Sequence, residues 1–502
     1  MEVAIRAVNL LWAASLVSSS RAFRGEIRET FVSSLLCHGA YIFHHREYDE
    51  RVVGNALLPI NGNHYLSNLV GLLFISAAFP ECRFSSEWQA FATREFFREV
   101  ESQVDEEGVN WEYSPNYHRL VLELVLSTHI LLERQGVSTP PPLRTKMKRM
   151  LDWMRHYRMP SGEIPAVRDV DNGRLCILGD DELTRHDHLM ELGAKLFGEP
   201  QFLPAQPHED CLWLLGPKAS TRTADHPGLA ERLPPSRLFQ NSGFAVMRKD
   251  SLAVLAICCP KGMSGYCGHT HNDFLSFELE AYGRPFLIDP GSYVYSRSRE
   301  WRNRMRGTAC HNTLMLAGKE QNSFPAHELF EIDSLSKPTV REWKTQTEAD
   351  ILEGEYPIFL GEGKQAIHRR RFVFLKHEGV WVIRDRVEGT GEYLIETRFH
   401  FAPKVDIADC GMGVFATRFN SGANLILAGP PKSALTAVIE EGWASRSYAQ
   451  KESIQVLRFS GTVTLPYEQT FVLCPRETGA MPPSASTLWE ELTPKANENL
   501  PI

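Results

Sequence analysis

The spacing of apolar residues changes its rule once along the chain. Over residues 4–18, 27–46, 64–78, 87–104, 115–134 and 143–157, apolar positions recur at intervals of three and four. That spacing predicts helices with a buried face. Breakers stand between them: Pro59, Gly62, Pro80, Gly108, Pro115 and the triple proline at 140–142. Sequential helices of similar length form a bundle, a solenoid or a ring of helical hairpins, and periodicity alone does not choose among these. Residues 204–236 interrupt any helix with Pro204, Pro207, Pro217, Pro227, Pro234 and Pro235, and read as a linker. Beyond residue 240 the period becomes two. GFAVMR (243–248), LAVLAICC (252–259), FLSFELEA (274–281), RRFVFL (370–375), VWVIRDRV (380–387), YLIETRFHF (393–401) and QTFVLC (469–474) predict strands. Many strands with no helices between them predict an antiparallel sandwich or barrel.

Length agrees with this division, because 502 residues exceed what one hydrophobic core normally serves. The apolar and charged fractions, 43% and 23%, are those of ordinary globular protein. A net charge of −8 argues against a nucleic-acid partner and requires that any positive field for an anionic ligand be local. Ten cysteines without a CxxC pair are too sparse for a disulfide scaffold and read as reduced, mostly buried thiols. Residues 7–17 (AVNLLWAASLV) imitate the apolar part of a signal peptide. Glu2 spoils the positive start and the helical pattern continues, so a packed helix is expected. No stretch approaches the roughly 20 apolar residues that span a bilayer.

Three segments cluster reactive side chains. In Asn61-Gly62-Asn63-His64-Tyr65, Asn63 suits a helix N-cap, and the helix start it marks favours a nearby carboxylate. Taken alone, that segment reads as a cap and a packed histidine. In Trp111-Glu112-Tyr113-Ser114-Pro115-Asn116-Tyr117-His118-Arg119, the Ser-Pro pair starts a helix and puts Tyr117 in its first turn. A phenol there can exchange a proton or simply pack. The third segment runs from Gly268-His269-Thr270-His271-Asn272-Asp273 through Ile288-Asp289-Pro290-Gly291 to Cys310-His311-Asn312-Thr313. Two imidazoles and a carboxylate suit zinc if the chain brings them together. A plain hairpin turning at 282–285 sets Asp289 opposite Phe277 and leaves His271 residues away, so a bend or crossing is required. Downstream, Arg297, Arg299, Arg302, Arg304 and Arg306 read as a local anion-binding patch.

In this order the segments resemble the heparinase II/III-like family of polysaccharide lyases. The likeness runs through NGNHYLSNLVGLLFISAAFPE (61–81), EEGVNWEYSPNYHRLV (106–121), GHTHNDFLSFELEAYGRPFLIDPGSYVY (268–295) and WRNRMRGTACHNTL (301–314). The resemblance implies a multidomain α and β chain: an N-terminal (α/α) toroid over 1–203, the linker over 204–236 and an antiparallel β-sandwich over 237–490, with the active site in the cleft between the domains. It implies a carbon–oxygen lyase that cleaves uronic-acid glycans by β-elimination. Asn63 and His64 would bind the uronate carboxylate, Tyr117 would transfer the proton, and His269 would be a catalytic histidine. Arg119, Arg302, Arg304 and Arg306 would contact the acidic polysaccharide. His271, Asp289 and His311 would hold one structural divalent metal, zinc by its usual identity, and no organic cofactor is implied. Relatives of the alginate-lyase kind are expected to carry a tyrosine where this chain has Arg304. The base could therefore be Tyr293, Tyr295 or His269. A glycan substrate implies a periplasmic or secreted location, although no clear export signal is present.

Two rival readings make different demands. A glycoside hydrolase on a helical toroid needs a pair of carboxyl groups, for which Glu112 and Asp273 are the candidates. A non-catalytic glycan-binding or assembly protein of exopolysaccharide metabolism needs neither pair nor base.

Overall fold

The computed structural model describes residues 1–53, 56–179, 184–204, 206–217, 233–260, 262, 268–326, 328–430 and 435–478. Residues 218–232 of the expected linker and 479–490 of the expected sandwich lie outside these. The chain divides into two compact units. The first comprises Met1–Glu112, Asn116–Arg155 and Asn172–Arg232. The second comprises Tyr113–Pro115, His156–Asp171 and Leu233–Ile502. The second unit thus begins earlier in the chain than a single cut near residue 203 would place it.

In the first unit, α1 (Glu2–Val17) and α2 (Glu26–His44) precede a hairpin of β1 (Glu50–Val53) and β2 (Ala56–Pro59). Then come α3 (Asn63–Ala78), α4 (Ser85–Gln103), α5 (Pro115–Arg134), α6 (Pro141–Tyr157), α7 (Asp187–Phe197) and α8 (Glu209–Leu215). Prolines open α5 and α6 because a first helical residue has no intrahelical use for its N–H. Residues Leu66, Leu69, Val70, Leu72, Leu73 and Ile75 of α3 are all fully buried. A helix apolar on every side is a central one, and α1, α2 and α4 pack around it. Gly71 permits the closest approach: a Cβ there would lie 2.7 Å from that of Ala4 in α1. Residues 2–17 therefore form a packed helix, as expected. α8 falls inside the segment read as linker. Its apolar run CLWLL is too short to compete with six prolines in a reading by composition. Among the described residues, no helix is long and apolar enough to cross a membrane.

The second unit is antiparallel throughout its strand ladders. One sheet orders β3 (Arg237–Phe239), β4 (Phe244–Lys249), β5 (Leu252–Ile257), β6 (Ser276–Ala281) and β7 (Arg284–Leu287). After it come α9 (Arg299–Met305) and β8 (Leu314–Leu316), then β9 (Thr339–Thr345), β10 (Ala349–Gly361), β11 (Lys364–Leu375) and β12 (Val380–His400). The chain ends its described part with β13 (Ile407–Asp409), β14 (Val414–Thr417), β15 (Ala423–Ala428), β16 (Thr436–Ser447) and β17 (Gln450–Glu477). These form the larger sheet in the order β13-β14-β15-β17-β12-β11-β10-β9, with β16 on β17 and β8 on β12. Phe277 and Leu279 of the first sheet share a core with Phe372, Phe374, Trp381, Ile383, Phe399 and Phe471 of the second. Alternation along each strand produces these two inner faces. Cys258 and Cys259 are buried free thiols, and burial pushes Cys258 up to about 12.

Pairing between β6 and β7 explains how distant motif segments meet. A bulge shifts the register so that Leu279 faces Leu287, and continuation would set Phe277 against Asp289. The ladder stops at Leu287 instead. Asn312 takes over the vacated partners, donating Nδ2 to the carbonyls of Phe277 (2.8 Å) and Ile288 (3.0 Å) and accepting from the His400 amide at 2.6 Å. This wedge is the crossing that the sequence demanded, and it carries His311 to Asp289.

Candidate active site

The polar centre of the second unit is Asp169, a residue without exposure. Its Oδ2 accepts from Nδ1 of His269 at 2.8 Å and its Oδ1 from Nε2 of His271 at 2.9 Å. Arg302 grips both oxygens with its two terminal nitrogens, one at 2.9 Å, and also donates to the Gly268 carbonyl at 2.6 Å. Burial alone would raise the Asp169 carboxyl. The Arg302 guanidinium and the two imidazole hydrogen bonds outweigh that and hold it well below the carboxylate range. Of the four side chains, Asp169, His271 and Arg302 have no exposure, whereas His269 keeps 14%. His269 is therefore the member that reaches a surface.

His271, Asp289 and His311 offer one ligand atom each, all within 4.8 Å of one another. Nδ1 of His271 and Nε2 of His311 are buried without a hydrogen-bond partner. Two such nitrogens beside a carboxylate are costly unless something binds them, and an N₂O donor set suits a borderline divalent cation such as zinc. Asp169 on the far nitrogen of His271 is the carboxylate–histidine arrangement that orients metal-ligating imidazoles. The residues present thus fit a metal ion. Burial holds the His271 imidazole down, with Asp169 only partly opposing it.

In the first unit, Gly62 and not Asn63 occupies the N-cap of α3. Asn63 is the first helical residue and is turned inward. Its amide Nδ2 donates to both oxygens of Glu112 at 3.1 and 3.0 Å, and its backbone N–H adds a third bond at 2.7 Å. Oδ1 of Asn63 is left buried without a partner. The expectation of a side-chain cap fails because Glu112 offers the orphan N–H a charged acceptor, a stronger partner than the asparagine carbonyl. His64 is exposed and its Nδ1 meets Oε1 of Glu47 at 2.8 Å. Tyr117 lies in the first turn of α5 and is 5% exposed. His118 is buried, with Nε2 on the Met150 carbonyl at 3.1 Å, and burial lowers it to about 4, so it is neutral at physiological pH.

The arginines depart from the expected patch. Arg302 and Arg306 lie four apart around α9 and are fully buried, whereas Arg297, Arg299 and Arg304 are exposed. Arg306 donates to the Glu331 carbonyl at 3.0 Å and to Oδ1 of Asn303 at 2.8 Å. Burial draws Arg306 down to about 10. Arg304 stacks over Trp301 at 5.1 Å. Arg119 is 1% exposed and donates to the Gly173 carbonyl. Helical spacing splits the run: one face completes the interior and the other meets solvent. Tyr293 packs edge-on against Trp301 at 5.3 Å, and the Tyr295 hydroxyl lies 3.4 Å from Asp171. Reading by pattern missed Asp169, which sits in an irregular stretch with no periodicity. The one available signal was the density of charge in Arg168-Asp169-Val170-Asp171.

Two family models match this chain: "Heparinase II/III N-terminus" over residues 1–176 and "Heparinase II/III-like, C-terminal" over 231–484. A heparin-sulfate lyase of Bacteroides stercoris is 25% identical over 455 residues, 87% of this chain and 60% of the relative. A heparin-sulfate lyase of Pedobacter heparinus is 23% identical over 463 residues, 89% of this chain and 61% of the relative. The chain therefore spans about 60% of the length of the curated relatives it matches. The solved structure of a heparinase III gene product superposes with a TM-score of 0.71 at 22% identity, covering 96% of this chain and 69% of that one. That likeness establishes the fold, a helical toroid followed by an antiparallel β-sandwich.

Proposed function

The chain belongs to the heparinase II/III-like family, and from that premise we propose that it is a polysaccharide lyase acting on uronic-acid glycans by β-elimination. The observation that carries this reading is His269, the single partly exposed imidazole on an otherwise buried charged network. The hydrolase alternative is disfavoured by the fate of its two candidate carboxylates. Asp273 has no exposure and is held by Nε and a terminal nitrogen of Arg168 at 2.9 and 3.3 Å. Glu112 is engaged in three hydrogen bonds to Asn63.

The chemistry sets the roles. Removing the C5 proton of a uronate is hard because the neighbouring carboxylate opposes a second negative charge. Asn63 and His64 bind that carboxylate and stabilise the enolate-like charge as it develops. The amide donors of Asn63 are turned on Glu112, so substrate carboxylate and Glu112 compete for the same N–H groups. His269 accepts the C5 proton. As the C4–O bond breaks and the C4=C5 double bond forms, the Tyr117 phenol gives its proton to the departing oxygen. No water is consumed. Of Arg119, Arg302, Arg304 and Arg306, Arg304 is the one exposed to meet an acidic group of the glycan. His271, Asp289 and His311 would hold a divalent ion, zinc by donor set, whose bound form would brace the loops around the crossing at Asn312. The reading carries with it a periplasmic or secreted location. Screening the protein against a panel of uronic-acid polysaccharides for ultraviolet-absorbing unsaturated ends tests it. Appearance of that absorbance supports elimination, and its absence across the panel refutes it.

A further inference from the structure

Asp169 touches the proposed base, a proposed metal ligand and a buried arginine with one carboxylate, and its backbone is fixed on every side. Arg168 next to it adopts φ +65° while fully buried. A bulky residue holds the left-handed region only where its surroundings enforce it. Here the Asp273 carboxylate and the carbonyls of Cys259 and Pro260 hold the Arg168 side chain. The Asp169 carbonyl accepts from the Ser114 hydroxyl at 2.8 Å, and Val170 exchanges hydrogen bonds with the Ser292 hydroxyl at 3.0 and 2.9 Å. A carboxylate so anchored cannot follow an imidazole; the imidazole must conform to it.

We propose that Asp169 is the positioning residue of His269, selecting the tautomer protonated on Nδ1 and fixing the ring so that Nε2 is the nitrogen that takes the proton. An ionised carboxylate accepts only, so the 2.8 Å contact puts the hydrogen on Nδ1. Arg302 on the same carboxylate keeps it charged and blocks its rotation. The inference rests on the lyase reading for its kinetic consequence but not for the tautomer itself.

Nitrogen NMR of histidine-labelled protein reads the tautomer, with the His269 signal assigned by its loss in His269→Ala. At a pH where the ring is neutral, the wild type is expected to carry its hydrogen on Nδ1; a hydrogen on Nε2 overturns the proposal without recourse to a variant. In Asp169→Asn one acceptor oxygen becomes an N–H₂ donor that must face either His269 or His271, and the charge that holds the hydrogen on Nδ1 of His269 is lost. The turnover number should then fall on the order of 10²–10⁴-fold, as when the carboxylate that orients a catalytic histidine is amidated, with KM changed less than about threefold. In a His269→Ala background the same substitution should cost nothing further. Undiminished turnover in Asp169→Asn, or a further loss in the double variant as large as in the single one, overturns the proposal. If the wild type performs no elimination, the lyase reading fails while the NMR result still decides the role of Asp169.

Discussion

Glu123 offers the most quantitative test of how the first unit holds its proposed catalytic tyrosine. It lies on α5, six residues after Tyr117, and is buried. Its Oε1 accepts from Nε of Arg174 at 2.6 Å and from Nε2 of His188 at 3.1 Å, and its Oε2 from the Leu175 amide at 2.8 Å. Arg174 reaches on to Asp210 at 3.2 Å, so one cluster joins α5 to α7 and α8. Burial alone would raise the Glu123 carboxyl; the His188 hydrogen bond and the Arg174 guanidinium outweigh it and pull it from 4.5 down to about 2. A group depressed on folding contributes stability that is complete above the unfolded value and is lost as pH falls through the folded one. At about 1.4 kcal/mol per pKa unit, the contribution is about 3 kcal/mol at neutral pH and about 1 kcal/mol at pH 3. Glu123→Gln keeps the volume and removes the charge. Urea unfolding followed by the helical far-ultraviolet signal should show the variant about 3 kcal/mol less stable at pH 7, with the gap closing as pH falls from about 5 to 3. A variant as stable as the wild type at pH 7, or a gap indifferent to acid, would refute the reasoning.

Tyr117→Phe removes the proton donor but little volume, so turnover should fall on the order of 10²-fold or more while oligosaccharide affinity, read by calorimetry, is retained. Lost affinity with intact turnover would contradict its assigned role. The protein as purified should contain about one divalent ion per chain by elemental analysis, and His311→Ala should abolish it and lower the melting temperature. Phe399 packs against Phe277, Phe459 and Phe471 between the two sheets, so Phe399→Ala should destabilise the second unit by about 3–5 kcal/mol in urea titration. A cost below about 1 kcal/mol would mean that this ring is not part of a close-packed core.

Much of the fold is legible in the sequence because burial imposes periods. α3 and α5 are apolar at nearly every turn, and Pro115 announces where α5 starts, so both helices emerge within a residue or two of their observed bounds. α7 and α8 carry no comparable signal: one follows a long irregular stretch and the other lies among prolines. The metal triad was legible in residue type but not in assembly. Its closure depends on Asn312 replacing the ladder beyond Leu287, and a side chain substituting for a strand leaves no periodic trace. Asp169 leaves no periodic trace either, since its importance comes from contacts a hundred residues or more distant in sequence. Charge spacing misled at Arg302 and Arg306, where guanidinium groups serve the interior. Clustered arginines report the need for positive charge but not the side of the helix on which it is spent.

Whether bond cleavage proceeds without water is the decisive question, and product analysis after digestion of a susceptible glycan in heavy-oxygen water answers it. Elimination adds no solvent oxygen, so fragments analysed before anomeric exchange are free of label and each new non-reducing end carries a double bond. Heavy oxygen at the anomeric carbon of each new reducing end, together with saturated non-reducing ends, would mean hydrolysis, and the roles given to His269 and Tyr117 would fall with it.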